Sequence, residues 1–84
     1  MRIDKFLKNS RIIKRRTVAK EACDGGRVEI NGHPAKAGAE VGVGDQIRIS
    51  FGSSPMVIRV LAVPETVKKE DAEKMYEVIG EGNE

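Results

Sequence analysis

At Asp24-Gly25-Gly26 the hydrophobic period of this chain changes from 3.6 residues to 2. That change confines the chain to a helical part followed by a stranded part. Before it, Ile3, Phe6, Leu7 and Ser10 share one side of a helical repeat, with Lys5 and Lys8 opposite and Arg2 at the margin. The spacing predicts an amphipathic helix over 3–10. A second helix, about Arg15 to Cys23, has a narrow stripe of Val18, Ala19, Ala22 and Cys23, small enough for close packing on the first. The glycines then end it, because glycine takes the left-handed conformation at little cost.

After the glycines, Val28 and Ile30 alternate with Arg27 and Glu29, and Asn31-Gly32 is a strong hairpin signal, since both central residues of a type I′ turn need positive φ. Ile47, Ile49 and Phe51 alternate with Gln46, Arg48 and Ser50, and Met56 to Val63 is apolar apart from Arg59, so two more strands are expected before Pro64. In the tail, Ala72, Met75, Tyr76 and Ile79 fall at i, i+3, i+4 and i+7, which predicts a third helix with acidic outer faces. The expected architecture is therefore α+β: two packed N-terminal helices, a small bent antiparallel β-sheet and a C-terminal helix. Residues 1–65 are expected to form the domain, and residues 66–84 an acidic helical tail.

Charge is strongly polarised along this order. The first 27 residues hold nine of the fifteen Lys and Arg against three acids, +6; residues 28–59 are neutral; the last 25 carry −4. A cationic end of this density, threaded through apolar residues at helical spacing, is the footprint of a phosphate-backbone reader, with a merely solvated basic face as the alternative. Aromatic residues make up only 4% of the chain, and Trp is absent. That argues against stacking of single-stranded bases and for shape and backbone recognition.

Other classes are disfavoured by elimination. His33 and Cys23 are single and lie in different elements, and the clustered carboxylates sit on the solvated tail. No acid/base pair, activated nucleophile or metal-ligand spacing results, so neither an enzyme nor a cofactor or metal is expected. The glycine pairs lack the strand, loop and helix context of a nucleotide site. One Cys gives no disulfide framework, and no apolar run approaches the roughly 20 residues that span a bilayer. A soluble, cytoplasmic protein without membrane contact is expected.

Arg2, Lys5 and Lys8 flank the first helix, Arg11, Lys14, Arg15 and Arg16 occupy the link and second-helix start, and Lys20 lies one turn on. Together they can line one RNA-binding ridge, which Lys36 or Arg27 would extend across the hairpin. Arg2, Arg11 and Arg16 are its leading members. Asp4 has two readings: it caps the first helix, where a carboxylate is favoured, or it orients a neighbouring Arg for RNA.

The string Arg2-Ile3-Asp4-Lys5-Phe6-Leu7, then Arg11, Arg16-Thr17-x-Ala19, Gly26-Arg27-Val28-x-Ile30-Asn31-Gly32 and Val43-Gly44-Asp45-x-Ile47, resembles the S4 RNA-binding domain over residues 1 to about 51. The resemblance implies two packed helices and a small sheet (the αL motif), with an RNA surface at Arg2, Asp4, Lys5, Arg11, Arg16 and Lys20; Asn31, within the motif, joins the candidate set. One departure is Arg15, where many members of the family carry a Ser that would cap the second helix. Its loss would cost about 1 kcal/mol.

The short chain after the motif is similar to stand-alone members of the family, and its tail to the bacterial ribosome quality control branch, the RqcP type. That likeness implies binding to large ribosomal subunits obstructed by a peptidyl-tRNA, contact with ribosomal RNA and the tRNA, and support for C-terminal tailing of the stalled chain by the factor RqcH. A monomer is expected. Two other readings stay open: an RNA-targeting subunit of a separate RNA-modifying enzyme, and a heat-shock ribosome-recycling factor, whose relatives usually carry a longer, basic tail.

Overall fold

Helix α1 (Ile3–Asn9) forms where the apolar residues recur at helical spacing, and it buries Ile3, Phe6 and Leu7 completely, with Asp4 beside them. No side chain caps its start. Instead the loop before Val41 supplies acceptors: the carbonyls of Ala39 and Ala37 take the amides of Ile3 (2.8 Å) and Asp4 (3.3 Å), satisfying donors that a helix start leaves unpaired. The helix ends at Ser10, whose amide donates to the Phe6 carbonyl, and Arg11 then reverses the chain with φ +64°. The computed structural model describes residues 1–51 and 54–81.

Helix α2 (Arg16–Asp24) packs on α1 through Ala19 and Cys23. Ala22 is half-buried, whereas Val18, expected in the same stripe, is 47% exposed. Ala19 and Cys23 are four residues apart, so one row of small side chains suffices for the contact. Of the two terminating glycines, Gly26 is the one with positive φ, +84°.

Strands β1 (Val28–Ile30) and β2 (His33–Pro34) form the expected hairpin, with φ +53° at Asn31 and +85° at Gly32. Strands β3 (Gln46–Phe51) and β4 (Ser54–Val60) follow. The sheet is antiparallel in the order β2-β1-β3-β4-β5. Its inner face, Val28, Ile47, Ile49, Ile58 and Val60, packs in one cluster with Ile3, Phe6, Leu7, Ala19 and Cys23 of the helices. Each of the larger fully buried side chains contributes roughly 1.5–3 kcal/mol relative to exposure.

The C-terminal helix expected over 66–79 is not the structure observed. Lys69–Met75 forms a 3-10 helix and Tyr76–Glu81 is a strand, β5, paired antiparallel with β4. Ala72 and Met75 are buried as the spacing predicted, but Tyr76 is half-buried on the strand and Ile79 is 39% exposed. Two facts favour the strand. Tyr76, Val78 and Ile79 are good strand formers, and β4 would otherwise leave its ladder of amides and carbonyls unpaired. The pairing shifts register between Val57 and Ile58.

Candidate nucleic-acid interface

Arg2 and Arg16 lie fourteen residues apart in the chain, yet both guanidinium groups close on one carboxylate. Arg2 donates from Nε and Nη2 to the two oxygens of Asp4, each at 3.2 Å. Arg16 approaches from the start of α2, with Nε 3.4 Å from Oδ2 and Nη2 3.5 Å from Oδ1. The Lys5 amide adds a bond to Oδ1 at 2.8 Å. The Asp4 side chain is only 3% exposed, while those of Arg2 and Arg16 are 50% and 48% exposed. A buried anion thus fixes two outward-facing cations.

Burial alone would raise the Asp4 pKa, but the hydrogen bonds from Arg2 and Arg16, with their positive charge, outweigh it and hold the carboxyl below its usual value. Asp4 thus accepts the Lys5 amide within the first helical turn and pairs with two arginines.

A second group of cations gathers at the other end of α1. Lys8, Arg11 and Lys14 line a cleft of about 340 Å³ together with Asn9, Glu65, Thr66 and Val67. Lys5 is half-buried and turned towards Glu65, with which it forms an ion pair. The Asn9 amide group donates to the Glu65 carbonyl at 3.5 Å. The Glu65 carboxyl is held below its ordinary value by the hydrogen bond and charge of Lys5. Among the described residues, no carboxylate lies within ion-pair distance of Lys8, Arg11 or Lys14.

The remaining candidates are more dispersed. Arg15 is exposed at the N-cap of α2 with extended backbone and makes no side-chain cap bond. Lys20 is exposed on α2 beside Thr17, Glu21 and Asp24. Lys36 donates to the Asp24 carbonyl at 3.4 Å. Asn31 is occupied within the hairpin: its amide group donates to Asp45 at 3.1 Å, and its oxygen accepts from the Gln46 amide at 2.9 Å. The geometry thus brings together Arg2, Asp4 and Arg16, and separately Lys8, Arg11 and Lys14, with Lys5 turned to Glu65. Asn9 and the Glu65–Val67 segment were not anticipated. The Lys5–Glu65 contact spans sixty residues, and no local sequence signal marks it.

Burial, then the charges of Asp4 and Asp24, push the Cys23 thiol up to about 11, so it is a poor nucleophile. His33 is exposed in β2. Among the described residues, no three potential metal ligands come together, and no helix is long and apolar enough to cross a membrane.

The S4 domain profile matches residues 1–47, more than half of the chain. The chain belongs to the S4 domain family. Among S4 relatives, the RQC P-site tRNA stabilizing factor of Streptococcus pneumoniae is 53% identical over 96% of this chain and 92% of its own length. The protein of that name from Bacillus subtilis is 49% identical over 96% and 94%. The Heat shock protein 15 homolog of Aeromonas salmonicida is 37% identical over 92% of this chain but 59% of its own length. In three dimensions, the trimeric Heat Shock Protein 15 of Vibrio cholerae superposes with a TM-score of 0.86 at 29% identity, covering 94% of this chain and 81% of that one. The hypothetical protein HP1423 superposes with a TM-score of 0.81 at 34% identity, covering 95% and 98%. The S4 segment contains the whole Arg2–Asp4–Arg16 cluster and the cations of the cleft. The Glu65–Val67 wall of that cleft lies beyond it.

Proposed function

We propose that this S4 protein is a non-enzymatic, ribosome-associated RNA-binding factor of ribosome-associated quality control. On obstructed large subunits it binds ribosomal RNA and peptidyl-tRNA in the P site, and so supports tailing of the stalled chain by RqcH. The observation that carries the reading is the buried Asp4 holding Arg2 and Arg16 half-exposed. Two fixed guanidinium forks match phosphate oxygens in planar, bidentate fashion and lose little freedom on binding. The names and full-length similarity of the quality-control relatives support the cellular role. The heat-shock reading draws on the Aeromonas and Vibrio relatives, but this chain spans much less of the former than of the quality-control factors.

Co-sedimentation with large subunits carrying peptidyl-tRNA tests the reading. Single substitutions Arg2→Gln and Arg16→Gln are the right probes, because removing both arginines would leave a buried carboxylate unpaired. Each is expected to weaken association about tenfold, in line with a lost charge-assisted contact of roughly 1.4 kcal/mol. Association equal to that of the parent protein, in variants that remain folded, refutes the assignment. Co-purification of a stoichiometric modifying enzyme on bare RNA would favour the targeting-subunit alternative.

A further inference from the structure

Resting on the RNA-binding reading above, the geometry points to a second phosphate site, separate from the Arg2–Arg16 pair: the cleft of Lys8, Arg11 and Lys14 holds one RNA backbone phosphate. In it Lys5 serves as a positioning residue that neutralises Glu65 rather than as an RNA contact. The cleft is concave, about 340 Å³, and three of its seven lining residues are cations. Glu65 is the one carboxylate among the lining residues, and it is paired with Lys5. Lys5 is the least exposed of the four cations near this end of α1, which suits an internal partner better than a mobile phosphate. With Glu65 neutralised, the cleft presents the field of three cations to a backbone phosphate that enters it. The Asn9 amide group, anchored to the Glu65 carbonyl, ties this wall to α1.

Filter binding of the full chain to purified large-subunit ribosomal RNA, across a salt series, tests this. The double substitution Lys8→Gln and Lys14→Gln is expected to reduce affinity about tenfold and to make the slope of log affinity against log salt shallower by about 0.8, the value for one phosphate contact. Lys5→Gln is expected to weaken binding several-fold by exposing the cleft to an unpaired Glu65, and adding Glu65→Gln to it is expected to restore parental affinity. Failure of that rescue makes Lys5 a direct RNA contact and overturns its positioning role. If the Lys8/Lys14 variant binds with parental affinity and slope while Arg16→Gln is weakened, the cleft is not a phosphate site and the arginine pair stands alone. If Arg16→Gln is also unaffected, the RNA-binding reading itself fails.

Discussion

Asp4 and Arg11 show at single positions how stability and binding are divided in this fold. The native Asp4 pKa lies below its ordinary value, so its contribution is fully present above the usual carboxylate range of about 4 and is lost as pH falls through the lowered native value. Asp4→Asn is therefore expected to cost about 2 kcal/mol at neutral pH, the scale of a lost buried charged hydrogen bond, with the gap from the parent protein closing below about pH 4. Denaturant titrations at several pH values measure this; a gap independent of pH would contradict it. Arg11 presents the opposite case. Its φ of +64° is a conformation that non-glycine residues adopt at a cost. Arg11→Gly is expected to preserve or raise stability by up to about 1 kcal/mol while weakening binding to ribosomal RNA. Thermal melts and filter binding on the same preparation separate the two effects.

At the scale of elements, α2 begins without a side-chain cap because Arg15 occupies its N-cap position. Arg15→Ser is expected to raise stability by about 1 kcal/mol, measurable as a higher urea midpoint at unchanged slope. Met75 sits where the 3-10 helix meets β5 and is buried in the core, so Met75→Ala is expected to cost about 3 kcal/mol. A loss well under 1 kcal/mol would show that the C-terminal segment is only loosely attached. These elements also show what a sequence can disclose. The two helices, the Asn31-Gly32 hairpin and strands β3 and β4 are legible because each is specified by local period and turn chemistry. The end of the chain is not, because Ala72, Met75, Tyr76 and Ile79 satisfy a helical period, while the deciding partner, the open edge of β4, lies some twenty residues upstream. The candidate site divides in the same way. Arg2 and Arg16 are identifiable as cations near helix starts, but their meeting on Asp4 depends on how α1 packs against α2, and the role of Glu65 depends on a loop whose course no local pattern specifies.

For the whole molecule, the +6 and −4 ends of the sequence are not held as separate bodies. Glu65 is drawn into the basic end, and Tyr76–Glu81 completes the sheet. If about five phosphates are neutralised by the two cation groups and their flanks, log affinity for ribosomal RNA should fall against log salt with a slope of about −4. A slope near zero in binding titrations would rule out a backbone-reading surface. The strand order β2-β1-β3-β4-β5 also bears on biosynthesis. The β1–β2 hairpin is followed by β3 on the other side of β1, β4 on β3 and β5 on β4, so from β3 onward the sheet extends in one direction and in the order in which its strands are translated. No strand waits for a later one to be inserted beside it. Beyond the first hairpin the growing sheet thus presents one advancing edge, which β5 is the last to occupy.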